Sequence, residues 1–197
     1  MTRSRVRGIA LLTALGLGAL LSTRLAIVPD TGMSPTLLAG DVVLVLPLAP
    51  REGDIVALSD PLDPARFTLR RVETVGGAVR YDGRAFRTGA RPKVRLLDMG
   101  EFEGRPVLLE SDHVTLRAPL PTRQEFPETG VPDDRAYLSA DNRDAALDSR
   151  WWGAVPLTSI GGVVVARIGA PTTPWRSLFG TRGEPAVVPR SSKLKPV

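Results

Sequence analysis

The sequence contains no cysteine and a single histidine, His113. The first absence excludes disulfide scaffolds, thiolate metal sites and a cysteine nucleophile. The second excludes a multi-histidine metal centre and a Ser-His-Asp triad built on any other imidazole. Lysine is scarce as well. Of 26 basic residues only Lys93, Lys193 and Lys195 are lysine; all the others are arginine, which does not give up its proton in proteins. Candidates for an amine base are therefore few. What is present argues for a folded chain: 43% apolar and 24% charged residues over 197 positions exclude global disorder and leave room for one domain rather than two large ones. Gly (19) and Pro (18) are more frequent than in average proteins, and the formal net charge of +5 favours anionic surroundings such as a membrane surface.

The first seven residues hold three arginines, and residues 8–23 carry no charge. Arg24 interrupts the run and Leu25–Val28 resume it. A helix over 8–28 spans about 31 Å if Arg24 snorkels, which suffices for a ~30 Å hydrocarbon core. Excess arginine before the run predicts the N-terminus inside and the remainder translocated. Residues 1–28 are thus expected to be a basic N-terminus and transmembrane anchor, with a cleaved signal peptide as the alternative. A translocated location speaks against a nucleic-acid partner, and no aromatic-basic platform occurs in the chain.

Beyond Val28 short apolar, β-branched runs alternate with Gly, Pro and Asp: Val42–Leu46, Ile55–Leu58, Phe67–Val72, Val107–Glu110, Val114–Leu116, Tyr137–Ser139 and Gly162–Ile168. Gly40-Asp41 and Gly53-Asp54 read as turns, and Tyr81-Asp82-Gly83 reads as a hairpin turn. No helical periodicity persists over three turns. These features predict a mainly β domain over 29–170 and a flexible basic, Pro-containing tail over 171–197.

Three segments carry a resemblance. The first is Gly32-Met33-Ser34-Pro35-Thr36-Leu37-Leu38-Ala39-Gly40-Asp41. The second is Leu69-Arg70-Arg71-Val72 with Gly76-Gly77 and Tyr81-Asp82-Gly83 after it. The third is Ala140-Asp141-Asn142-Arg143-Asp144-Ala145-Ala146-Leu147-Asp148-Ser149-Arg150, continuing Trp151-Trp152-Gly153-Ala154-Val155-Pro156. In order and spacing they resemble the conserved boxes of bacterial type I signal peptidase, a membrane-anchored serine endopeptidase with a Ser-Lys dyad that removes signal peptides from exported proteins. The resemblance implies the family's coiled β-sheet fold behind a single N-terminal transmembrane helix. It also implies a place on the outer, periplasmic face of the bacterial cytoplasmic membrane, and no metal or cofactor.

It further implies where the chemistry would sit, and there the chain departs from the family. The nucleophile position holds Gly32, which has no side chain. The lysine position holds Arg70 (with Leu69 as the other candidate), and neither can accept a hydroxyl proton near neutral pH. The serine that orients the lysine is replaced by Ala146, and the hydroxyl that helps the oxyanion hole is replaced by Asp30, whose carboxylate would repel an oxyanion. The scaffold positions Met33, Pro35, Thr36, Gly40, Asp41, Asp141, Asn142, Arg143, Asp148, Ser149 and Arg150 are retained. The resemblance implies that Asp148 and Arg150 form a structural ion pair, and that Asp141 and Arg143 support the same loop. Ser34 and Lys93 are the available stand-ins for a displaced dyad. Ser34, read on an extended strand, faces the same way as Gly32 but lies ~7 Å along it, and Lys93 sits in a basic run read as solvated. His113, beside Asp112 at a strand start, reads as a surface or internally satisfied residue rather than a base.

Three functions follow from these positions. One is a catalytically degenerate signal peptidase relative that keeps a groove for signal-peptide C-regions or partners an active signal peptidase. Another is an active endopeptidase with a displaced dyad. The third is an arginine-rich binder of anionic surfaces. Trp151 and Trp152 read either as core residues beside the third segment or as rings at a bilayer interface.

Overall fold

The computed structural model describes residues 23–118 and 124–169, about half of which lie in strands and few in helices. The first element corrects the expectation for the N-terminal region. Arg24–Ile27 is not the end of a helix but strand β1, paired antiparallel with β2 (Val42–Leu46) from Arg24↔Val45 to Ile27↔Val42. The turn at Gly40 makes this pairing possible. Gly40 adopts φ +88°, Gly40 N–H donates to the Val28 carbonyl, and Val28 N–H donates to the Asp41 carbonyl at 2.8 Å. The chain is thereby folded back on itself. The rest of the expected anchor and the expected tail over 171–197 lie outside the described residues. Among the described residues no helix is long and apolar enough to cross a membrane.

The main sheet has the order β1-β2-β11-β3-β4-β9-β10. Its further members are β3 (Ile55–Ser59), β4 (Phe67–Tyr81), β9 (Phe126–Ser139), β10 (Val155–Pro156) and β11 (Ile160–Gly169). A short strand, β5 (Phe86–Thr88), pairs with the far end of β4 across the expected Asp82-Gly83 turn, where the Asp82 carboxylate accepts the Arg84 and Ala85 N–H groups. Strands β4 and β9 run far beyond the short segments Phe67–Val72 and Tyr137–Ser139. The extension passes through Gly76 (φ +69°) and Gly77 (φ +76°), where the β4–β9 register shifts between Val75 and Gly77. The glycines that read as the end of a strand are a bulge within it, and they bend the long ladder. A second sheet contains β6 (Leu96–Phe102), β7 (Arg105–Glu110) and β8 (His113–Leu116).

The alternation along β2, half-buried then buried, shows two faces in use. Val43, Val45 and Leu69 pack with Val28, Met33 and Leu37 of the first motif. Val56, Leu58, Val72, Leu138 and Val163 form a second cluster, against which Trp152 packs. Trp152 therefore belongs to the core, whereas Trp151 stands 56% exposed and touches Phe126 edge-on. Both sit on α1 (Ser149–Trp152), a single turn capped by the Asp148 side chain, which accepts from Arg150 N–H.

Candidate active site

The segment 28–37 enters the site as a turn and not as the extended strand expected around Ser34. Ser34 N–H donates to the Thr31 carbonyl and Leu37 N–H to the Met33 carbonyl, so Met33 and Leu37 point into the core and Ser34 is buried. The third motif braces it from the other side. Asn142 N–H donates to the Gly32 carbonyl at 2.9 Å, the Asn142 side chain donates to the Thr31 carbonyl at 3.0 Å, and the Thr36 hydroxyl donates to Asp141.

Gly32 faces Arg70. A Cβ added at Gly32 would lie 2.6 Å from Arg70 Nη1 and 2.8 Å from Asp30 Oδ1, so the guanidinium fills the space a side chain at position 32 would need. Arg70 is 4% exposed and is held by a hydrogen bond from Nε to the Leu147 carbonyl at 2.8 Å, another from Nη1 to the Leu69 carbonyl at 2.6 Å, and the Trp152 ring at 5.7 Å. Burial lowers its pKa and the Asp30 carboxylate, 3.7 Å away, opposes that shift; the group stays a cation. Asp30 Oδ1 accepts the Gly32 N–H at 2.7 Å, and Oδ2 accepts the Thr68 hydroxyl at 3.3 Å. Of the two candidates for the lysine position it is Arg70 that meets Gly32. Leu69 points the other way, into the cluster with Met33.

Ala146 is half-buried next to Leu147 and lines a cleft of about 280 Å³ together with Tyr81, Phe126, Arg143 and Trp151. Asp148 is fully buried. It pairs with Arg150 at 2.8 Å, the ion pair that the resemblance implied, and it also accepts the Ala140 N–H. Ser149 Oγ accepts from Leu138 N–H and from the Trp152 indole, which leaves it a structural role. Gly40 and Asp41 shape the turn after the motif, where Asp41 accepts the Leu38 N–H and pairs with Arg167.

Asp141 and Arg143 support the loop through separate networks. Arg71 grips Asp141 with two hydrogen bonds of 2.8 and 2.7 Å. Burial alone would raise the Asp141 pKa; the Arg71 guanidinium more than offsets it and holds the carboxyl below the usual carboxylate range. Arg143, fully buried, donates to Glu73 at 3.1 Å and Glu110 at 2.8 Å and stacks on Phe86. The Glu110 pKa is lowered despite burial, chiefly by Arg143 and Arg117. Glu73, Glu110 and His113 place potential metal-binding atoms within 4.8 Å of one another, but the Arg143 guanidinium already sits among them, 3.4 Å from His113 Nε2. The cation their charge calls for is thus supplied by the chain itself. His113 is buried, with Nδ1 3.0 Å from Asp112. Arg71 stood in the second motif without a role, and Glu73 and Thr68 were not readable as site residues. Charged and polar residues in a strand look solvated unless their partners, 70 residues away for Arg71 and Arg143, are known.

Lys93 is exposed in the β5–β6 connection and Ser34 is buried in the turn, and no hydrogen bond joins them. A groove of about 330 Å³, lined by Ala26, Val45, Ala57 and Phe67 among others, opens between β1 and the start of β4. Strand β9 pairs with β4 only from Arg71 onward; ahead of it Thr68, Leu69 and Arg70 are buried without a second strand partner, with Asp30 and Leu147 against Thr68 and Arg70.

A family model described as signal peptidase, peptidase S26, matches residues 4–169. A signal peptidase I of Pseudomonas fluorescens is 29% identical over 152 residues, covering 64% of this chain and 54% of its own length. The chain therefore spans about half of that relative. A signal peptidase I of Aquifex aeolicus is 25% identical over 182 residues, with 68% and 71% covered. Among solved structures, a signal peptidase I from Enterococcus faecalis matches with a TM-score of 0.42 and 21% identity, covering 60% of this chain and 98% of that one.

Proposed function

The chain belongs to the signal peptidase family, peptidase S26, and from that premise we propose that it is a catalytically degenerate member. In this reading it is held at the bacterial cytoplasmic membrane by its N-terminal segment, with the β domain on the outer face. It retains a groove for the C-terminal region of signal peptides, or works as the partner of an active signal peptidase. One observation carries the reading: the Arg70 guanidinium occupies the space beside Gly32 where a hydroxyl nucleophile and its amine base would have to meet. A glycine cannot attack, and a guanidinium held by Leu147, Leu69 and Asp30 cannot take a proton. Asp30 occupies the Gly32 N–H, the donor an oxyanion would need.

The binding half of the proposal is supported by the groove of about 330 Å³ that β1, β3 and Phe67 line. An extended peptide can lie in such a groove with alternate side chains directed into it. A displaced dyad has no comparable support, because the buried Ser34 and the exposed Lys93 do not meet. The test is cleavage of a preprotein with an Ala-x-Ala site by the detergent-solubilised chain, with Ser34→Ala and Lys93→Ala beside it. No cleavage above background is expected from any of the three. Turnover by the natural chain that either substitution abolishes would refute degeneracy.

A further inference from the structure

The outer face of β1, β2 and β11 is apolar, and no described residue covers it. Ala26, Val43, Val45 and Val164 turn to the core cluster around Met33. Side chains alternate along a strand, so Leu25, Ile27, Val42 and Leu44 turn the other way. The register sets Leu25 beside Leu44 and Ile27 beside Val42. Strand β11 adds Val165 and Ile168, the extra residues at its two register shifts against β2. Leu25 is 65% and Ile27 57% exposed, and Val165 and Ile168 are 44% and 41% exposed. Single apolar side chains on a surface need no explanation. A contiguous set on three neighbouring strands marks a face that something else covers.

A segment of the chain itself leaves from the rim of this face. Gly169 ends β11 beside Val42, and Val42 is paired with Ile27. After Gly169 the sequence reads Ala170-Pro171-Thr172-Thr173-Pro174-Trp175-Arg176-Ser177-Leu178-Phe179-Gly180. Pro171 has no N–H with which to continue the β11 ladder. Trp175, Leu178 and Phe179 stand at i, i+3 and i+4, the spacing that puts three side chains on one face of a helical turn. Thr173 and Pro174 ahead of them, and Gly180 behind, are residue types that start and stop such a turn. A turn this short does not hold by itself in water and needs a surface to pack on. The stretch from Gly169 to Trp175 reaches up to ~20 Å, against about 10 Å across three strands. Tethering at the rim also gives the segment an effective concentration on the order of millimolar. We infer that residues 174–179 dock on the outer face of β1, β2 and β11, with Trp175, Leu178 and Phe179 against Leu25, Leu44 and Val165. The segment is an intramolecular cover, and the face beneath it is not free to rest on lipid.

The experiment uses the full chain in nanodiscs of phosphatidylethanolamine and phosphatidylglycerol, with the photoreactive benzoylphenylalanine in place of Phe179. Irradiation followed by mass spectrometry identifies what the side chain touches. The expected adduct joins position 179 to a peptide of β1, β2 or β11 within one chain. Its yield should exceed by at least about fivefold that of the same probe at Arg176, on the far side of the turn. Leu25→Asp sets a carboxylate under the aromatic rings at an exposed position and should lower the yield at least about fivefold, whereas Leu25→Met should keep it. Adducts to lipid in place of the chain would show that the bilayer takes the segment and would overturn the inference. Adducts between two chains would overturn it in favour of a second copy. Equal yields from positions 176 and 179, or no adduct from either, would show that the segment has no seat on this face.

Discussion

Gly32 and Arg70 should be energetically coupled, and the coupling has a calculable sign. Gly32→Ser places a Cβ 2.6 Å from Arg70 Nη1 and 2.8 Å from Asp30 Oδ1, whereas ordinary contacts begin near ~3.5 Å. One of the two must retreat by several tenths of an ångström or more. Asp30 is partly exposed and can move at little cost, but Arg70 is wedged under Trp152 and tied to two carbonyls. Overpacking of this kind costs about 1–3 kcal/mol, and a lost hydrogen bond from a charged donor adds about 1.5–3 kcal/mol if the guanidinium is pushed off the Leu69 carbonyl. We expect Gly32→Ser to destabilise the natural chain by about 2–3 kcal/mol. In an Arg70→Lys background, where the planar fork is gone, the same change should cost under about 1 kcal/mol, a coupling of at least about 1.5 kcal/mol. Denaturant unfolding of the four proteins, followed by tryptophan fluorescence, measures this. Effects that add to within about 0.5 kcal/mol would show that the two side-chain spaces do not overlap and would refute the reasoning.

Other consequences follow from the buried ion pairs. The folded pKa of Asp141 is depressed, so the stability it contributes is fully present above the unfolded value of about 3.9 and is lost as pH falls through the folded value. Asp141→Asn should cost about 3–5 kcal/mol at pH 7, because it strands Arg71, and should flatten the fall in unfolding midpoint below about pH 4; an unchanged acid limb would count against the pair. Arg143→Ala vacates the centre of Glu73, Glu110 and His113, whose ligand atoms lie within 4.8 Å of one another. That variant, and not the natural chain, should gain thermal stability on addition of zinc, by about 2.7 kcal/mol at a hundredfold excess over Kd. Equal responses from both proteins would show that the guanidinium does not fill the site.

Much of the β framework could be read from the residues, because short β-branched runs bounded by turn residues have few other interpretations. Strand β2 falls on the expected Val42–Leu46, and β8 begins one residue before the expected start. Strand β1 was hidden because an apolar run looks the same whether it continues a membrane helix or opens a sheet; only the pairing with Val42–Val45 distinguishes them. The length of β4 and β9 was hidden by Gly76-Gly77, which signal a break in sequence and a bulge in space. At the candidate site, motif spacing pointed to Gly32 and Arg70 as a pair, and the fold places them in contact. Asp30 was legible as the position beside the oxyanion hole, but its contact with Thr68 was not, since the two meet across 38 residues. The two charge networks around Asp141 and Arg143 were merged in the sequence reading for the same reason: Arg71 and Glu73 lie two residues apart on β4, and only their partners separate them.

The central claim is that the scaffold persists while the reacting groups are gone. The most direct measurement compares preprotein cleavage by the natural chain and by the Gly32→Ser/Arg70→Lys/Ala146→Ser variant, both purified in detergent. The account predicts an inert natural chain and a variant that cuts after the Ala-x-Ala site. Cleavage by the natural chain at a rate well above background would contradict it.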